Sequence, residues 1–213
     1  MFFSRKKKTE ATDTPELGAQ VAPEETVDPL DLPGPRSVGE CDTSNGYIDM
    51  GSLLLPTVPG AQLRTQVGDD GHSVLKVLIV IGDSGLQISV AAAPRSGGVW
   101  DEIREEIRAG LLKDSATVID RDTRYGTELQ ADIPVSLPDG RQGTSRIRII
   151  GREGDRWFAR IDILGPAALS DEAGKNFESI IDRIVVVRDD QPRARLGLLP
   201  LHLPNEEVEI PRV

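Results

Sequence analysis

Apolar and polar positions alternate with period two through most of the middle of the chain. Gln62–Val67 alternates, Gly68-Asp69-Asp70-Gly71 marks a turn, and Val74–Ile81 is a long apolar run that reads as a central strand. Gly82-Asp83-Ser84-Gly85 turns again into residues 86–93, so the three segments predict an antiparallel meander. The period then becomes helical. Trp100, Ile103, Ile107 and Leu111 fall at i, i+3, i+7 and i+11 and form one apolar stripe. Asp101 and Glu102 in the first turn and Lys113 near the last suit the helix dipole.

The second half repeats the scheme. Thr127, Leu129, Ala131, Ile133, Val135 and Leu137 alternate with polar residues, and Pro138-Asp139-Gly140 marks a loop. Residues 146–150 and Trp157–Leu164 read as two further strands. Ser170 is placed to cap a last helix that buries Ala173, Phe177, Ile180, Ile181 and Ile184, and residues 185–187 add a closing strand. The expectation is an α+β domain. A single, largely antiparallel sheet carries two main amphipathic helices on its apolar side, broadly similar to a Mog1/PsbP-like arrangement.

A register follows from two loop lengths. A three-residue loop Glu153-Gly154-Asp155 sets Ile147 opposite Ile161, Ile149 opposite Ala159 and Arg148 opposite Arg160. Like charges directly opposed destabilise a sheet. A five-residue loop after Leu137 brings Asp132 beside them, giving an outer row Asp132, Arg148 and Arg160, with Arg146 facing Asp162. Phe158 falls on that outer face, opposite to Trp157, and needs the C-terminal arm, another element or a partner to cover it.

Outside this core the composition shifts. Residues 1–33 combine a basic start with a segment holding Glu10, Asp13, Glu16, Glu24, Glu25, Asp28 and Asp31, no Lys or Arg, and four prolines. Such a segment buries too little surface to offset its ordering entropy, so disorder is expected. Residues 34–190 form the domain. Residues 191–213 are a Pro-rich arm whose leucines pack in part on it.

The apolar fraction of 38% supports a core, and no run approaches the ~18 apolar residues of a membrane helix. The start has the wrong order for a secretory signal, and a single Cys41 agrees with a reducing compartment, so a cytoplasmic location is expected. The net charge of −10 argues against nucleic-acid binding by the whole surface. The run Arg5, Lys6, Lys7 and Lys8 is a candidate for weak contact with an anionic surface.

The best candidate site is the turn Arg95, Ser96, Gly97 and Gly98. Free amides at a helix start favour an anion, the glycines let it approach, and Arg95 adds a charge. The same residues also suit a plain strand-to-helix turn capped by Ser96 or Gly98. The turn lacks the Gly-Lys-Ser/Thr of a P-loop and the Gly-x-Gly-x-x-Gly fingerprint. Trp100 and Trp157 read as core anchors. His72 and His202 have no His or Cys at ligand spacing, no Gly-x-Ser-x-Gly is present, and Cys41 reads as an incidental thiol. No catalytic residue, metal ligand or cofactor is assigned.

Several motifs together carry a family resemblance. They are Leu53-Leu54-Leu55-Pro56-Thr57-Val58-Pro59-Gly60, then Ala92-Ala93-Pro94-Arg95-Ser96-Gly97-Gly98-Val99-Trp100-Asp101-Glu102-Ile103-Arg104, then Gly126-Thr127-Glu128-Leu129. Arg156-Trp157-Phe158-Ala159-Arg160, Gly165-Pro166-Ala167 and Pro200-Leu201-His202-Leu203-Pro204 complete them. The chain resembles, from about Gly34 to Pro204, the actinobacterial family catalogued as domain of unknown function 3710. The resemblance implies an actinobacterial cytosolic protein and no activity. The expectation is a non-catalytic protein-binding or adaptor module whose partner meets Phe158, Arg148 and Arg160. The alternative is a sensor or enzyme that holds a phosphate or nucleotide at Arg95, Ser96, Gly97 and Gly98. A third reading is a tether to membrane or nucleic acid through the basic start.

Overall fold

The alternating segments build a seven-stranded antiparallel sheet, and shorter segments build a second sheet of four strands. A computed structural model describes residues 32–204; the basic start, the acidic segment before Leu32 and the last residues of the arm lie outside the described residues. In chain order the strands are β1 (Arg36–Ser37), β2 (Tyr47–Asp49), β3 (Leu53–Pro56), β4 (Gln62–Val67), β5 (Val74–Ile81) and β6 (Ser84–Ala92). Helix α1 (Val99–Lys113) follows, then β7 (Thr117–Thr123), β8 (Gly126–Ser136), β9 (Gln142–Gly154) and β10 (Trp157–Leu164). A 3₁₀ turn, helix α2 (Asp171–Ile181) and β11 (Val185–Val186) complete the order.

The large sheet runs β4-β5-β6-β10-β9-β8-β7 and the small one β1-β11-β3-β2, with β1 parallel to β11. The expected single sheet is thus corrected to two. Strands of two to four residues are too short to display an alternation. The meander β4-β5-β6 stands as expected. Ser170 caps α2, its Oγ accepting from the Ala173 N–H at 3.3 Å.

The helices lie on opposite faces of the large sheet, which corrects the expectation of one sealed side. Helix α1 covers Leu129, Ile149 and Phe158 with Trp100, Ile103, Ile107 and Leu111. Helix α2 sends Phe177, Ile180 and Ile181 into the main core with Leu86, Ile88, Ile161 and Ile163. The central strands are therefore buried on both faces, and β10 is buried at six of its eight positions. A two-sided strand loses the alternation that reveals which way it faces.

The register also differs from expectation. Strands β9 and β10 join through a two-residue turn, Asp155-Arg156, closed by the pair Gly154 and Trp157. Ile161 then meets Ile150, Arg148 meets Ile163 and Arg160 meets Gly151. A slip by an odd number of residues sends side chains to the opposite face. Arg148 and Arg160 thus part company, and the outer charged row does not form. Strands β8 and β9 close over a loop of residues 138–140, with Leu137 N–H donating to the Arg141 carbonyl at 2.8 Å. Asp132 therefore sits opposite Arg146, which donates to both its carboxylate oxygens at 2.7 Å. Arg160 pairs with Asp162 of its own strand at 2.9 Å.

Arg148 is 1% exposed and stands inside the α2-side core. It donates to Glu128 through Nε at 2.8 Å and Nη2 at 3.1 Å, and Nη2 also reaches Glu178 of α2 at 3.1 Å. This pair fastens α2 to the sheet. Phe158 is 4% exposed and stacks on Trp100 with centroids 6.0 Å apart. The helix comes this close because residue 151 is glycine: a Cβ there would lie 2.1 Å from the Trp100 ring. Opposite, Tyr125 donates its buried hydroxyl toward the Glu178 carbonyl and the Asp182 carboxylate, each at 3.0 Å.

Two outcomes follow. Replacing Arg148 with Met takes from the buried Glu128 its bidentate partner, and should cost about 3–5 kcal/mol in urea unfolding; adding Glu128→Leu should recover part of that loss. Burial, reinforced by the Asp182 carboxylate, pushes the Tyr125 phenol well above its ordinary value. A raised folded value means stability fully present below the unfolded phenol's pKa of about 10 and lost progressively above it. Tyr125→Phe should therefore flatten the alkaline fall in stability, read as Tm between pH 9 and 11.

Candidate functional site

The turn from β6 into α1 places its four nominated residues in two different environments. Gly98 is the N-cap at φ 78°, a left-handed geometry suited to glycine, and no side chain caps the helix locally. Its amides meet an anion from elsewhere in the chain: the Glu153 carboxylate accepts the Trp100 N–H at 2.6 Å. A Cβ on Gly97 would lie 3.2 Å from the same carboxylate. Glu153 is on the α1 face of β9 because the β9–β10 pairing places it opposite Phe158. The chain thus supplies its own counter-charge to the helix dipole.

Arg95 goes elsewhere. It lines a cavity of about 450 Å³ with Arg156, Arg188, Arg193 and Arg195, floored by Ala92, Ala93 and Pro94 and edged by Asp190, Gln191 and Pro192. Ser96, Gly97 and Gly98 are not part of its wall. Three segments meet here: the start of the β6–α1 turn, the β9–β10 turn, and the chain after β11. The last segment is sewn to β6 by Leu196 N–H to the Ala92 carbonyl and by Ala92 N–H to the Gly197 carbonyl, both at 2.8 Å. It continues past Leu199, whose N–H donates to the Val90 carbonyl at 3.0 Å.

The arginines are paired unequally. Arg156 reaches Asp190 at 3.1 Å, while its buried Nε makes no hydrogen bond and lies 3.7 Å from Asp155. Arg188 and Arg193 share Asp189, the latter at 2.6 Å. Hydrogen bonding from Arg193, helped by the charge of Arg188, holds that carboxyl below the usual carboxylate range. Arg195 pairs with Glu102 of α1. Arg95 makes no hydrogen bond or ion pair with any described residue. Arg156 sits at φ 63°, a conformation that costs an L-residue roughly 1 kcal/mol. Asp190 is 98% exposed, so its hold on Arg156 is readily exchanged for another anion.

Of the nominated partner-facing residues, Phe158 and Arg148 are buried and Arg160 alone is partly exposed. Among the described residues no three His, Cys, Asp or Glu side chains converge as a metal centre requires. No helix among them is long and apolar enough to cross a membrane. Sequence reading found Arg95 but not Arg156, Arg188, Arg193, Arg195 or Glu153. The closely spaced arginines after Val187 were the one signal available.

Losing the Glu153 carboxylate should uncap α1. Glu153→Ala is expected to cost about 1 kcal/mol in chemical denaturation, and Glu153→Gln less, because the amide oxygen still accepts from Trp100.

Comparisons with known proteins place the chain among relatives. A family model described as Protein of unknown function (DUF3710) matches residues 34–209. No curated protein matches the chain. Among solved structures it is similar to the solution structure of cyanobacterial PsbP (CyanoP) from Synechocystis sp. PCC 6803. That likeness has 12% identity and a TM-score of 0.37, and covers 70% of this chain and 98% of that one.

Proposed function

Starting from the fact that the chain belongs to the DUF3710 family, whose description assigns no activity, we propose that it is a binding domain for a small polyanion, held in the arginine cavity beside α1. One observation carries this reading: Arg95, without a partner among the described residues, lines a cavity walled by four further arginines. Guanidinium groups suit phosphate and carboxylate oxygens because their planar N–H forks donate in pairs. A cavity of about 450 Å³ is in the range of small-ligand sites.

The lining narrows the ligand. It contains no Trp, Tyr or Phe, so a nucleobase would find no ring to stack on. A compact, non-aromatic anion such as a phosphorylated or polycarboxylic metabolite fits the wall better than a nucleotide. The lining also contains no His, Cys, Ser or Lys, which favours recognition over nucleophilic chemistry. The reading of a protein partner named Phe158, Arg148 and Arg160 as its candidate contacts; two of these are buried, which leaves Arg160 of the three. The cytoplasmic, actinobacterial setting implied by the resemblance belongs to the same proposal.

Calorimetric titration with inorganic pyrophosphate tests the site. The unaltered chain should bind it, more weakly as salt is raised. Arg95→Ala should weaken binding by about tenfold, the equivalent of one charge-assisted hydrogen bond. No heat from the unaltered chain, or equal affinity in Arg95→Ala, would sink the proposal.

A further inference from the structure

The large sheet ends in two strands that are guarded differently. Strand β4 carries a register shift at Gln66 and Val67, an irregularity that twists an edge away from further pairing. Strand β7, at the other end, follows β8 without a shift and contains no Pro, Lys or Gly. No described segment pairs with its outer side. Thr123 pairs with Gly126 across the two-residue turn Arg124-Tyr125, so the amides and carbonyls of Thr117, Ile119, Arg121 and Thr123 point toward β8. Those of Val118, Asp120 and Asp122 point outward, as a further strand requires.

The side chains along this edge are settled within the chain, with one exception. Asp120 pairs with Arg108 of α1. Arg121 donates to Asp171 of α2 at 2.7 Å, and Asp122 accepts from the Thr127 hydroxyl at 2.9 Å. Val118 packs against the α1 cluster. Ile119, on the opposite face, is 48% exposed and belongs to neither core cluster. Edge charges that keep strands apart are here already matched, and one aliphatic side chain is left uncovered.

Two identical strands paired antiparallel about a two-fold axis set one residue opposite its own copy, and the sequence of β7 selects which. Full overlap, centred on Asp120, opposes Asp120 to Asp120; centring on Arg121 opposes Arg121 to Arg121. Like charges so placed are destabilising. Centring on Ile119 gives the longest overlap with no like charges opposed: Asp120 meets Val118 of the copy, and Arg121 meets Thr117. Because the Ile119 backbone faces β8, Ile119 and its copy form a non-hydrogen-bonded pair, whose Cα atoms come to about 4.5 Å. Val118 and Asp120 then exchange their outward N–H and C=O groups across the axis. We infer that β7 joins β7 of a second copy in this register, so that two large sheets continue into one and each Ile119 is covered by the other.

The full chain tests this. Sedimentation equilibrium between about 5 μM and about 500 μM should show monomer and dimer in exchange, and Ile119→Lys should weaken the dimer about tenfold. Backbone amide exchange at Val118 and Asp120 should slow as the unaltered chain is concentrated. In a Cys41→Ser background, Ile119→Cys should form an intersubunit disulfide on mild oxidation. Thr123→Cys should not, because its copies lie about 26 Å apart in this register. A chain that stays monomeric throughout overturns the inference. So does a dimer in which those amides exchange unchanged, or one that cross-links through Thr123→Cys and not through Ile119→Cys. Slow exchange at Val118 and Asp120 in the monomer also overturns it, because the edge is then held by the same chain.

Discussion

A two-residue turn at Asp155-Arg156 decides what this chain presents to its surroundings. Closing β9 on β10 at Gly154 and Trp157 fixes the pairing along both strands. Because side chains alternate across a sheet, that one choice settles the face of every residue from Gln142 to Leu164. Arg148 goes to the α2 side and becomes buried; Glu153 goes to the α1 side and meets the helix start; Arg156 is left at the tip, on the rim of the arginine cavity. A loop one residue longer would exchange these roles. The turn keeps Arg156 at φ 63°, where glycine would relax the backbone. An arginine held at such a position is consistent with a guanidinium being wanted there.

Burial of Arg148 has its own consequence for how the layers hold together. Its Nη1 is buried without a hydrogen bond, and Gly174 of α2 leaves the space it occupies, since a Cβ there would lie 2.7 Å away. Glu128 gives it two contacts and Glu178 a third, so the charge is matched from the sheet below and the helix above. A buried ion pair of this kind does little for net stability against an apolar alternative, because desolvation offsets most of the attraction. Its effect is on geometry: α2 has one position in which Glu178 satisfies Arg148 and Phe177 still fills the core. On the other face Gly151 plays the corresponding part for α1, letting Trp100 settle onto the strand.

The long elements were legible because they are long. Strand β5, strand β10, the stripe of α1 and the Ser170 cap of α2 could be read from spacing alone. Strand β7 was not, since TVIDRDT offers only Val118 and Ile119 as apolar positions and lies at the sheet edge. Strands β1, β2 and β3 were too short to show a period, and β11, read as a closing strand, carried no sign of its partners, so the second sheet was missed. Register failed for a related reason. It was argued from loop length, and the pairing lies three residues from the expected one, with Ile161 opposite Ile150 instead of Ile147, an odd slip that moved Arg148 from the outer face to the core. The site was half legible. Arg95 stood out beside its glycines, but its companions come from two other segments, and the Glu153 carboxylate that answers the helix start is 53 residues from Trp100 in sequence.

Net charge deserves a more local reading than −10 suggests. An overall acidic chain repels polyanions at long range, yet screening confines that effect to about 10 Å at ordinary ionic strength. Inside that distance the arrangement of a few groups governs recognition. Here the arginines of the cavity are drawn from a turn, a strand end and the arm, and the arm is itself held by backbone hydrogen bonds to Val90 and Ala92. Their positions are thus set before any ligand arrives, which lowers the entropy lost on binding. The carboxylates that hold them are mostly exposed, so they orient the guanidinium groups without neutralising them as a buried partner would. On the proposed reading, an anion would enter this cavity only where its oxygens, at the right spacing, replace contacts the chain already makes with itself.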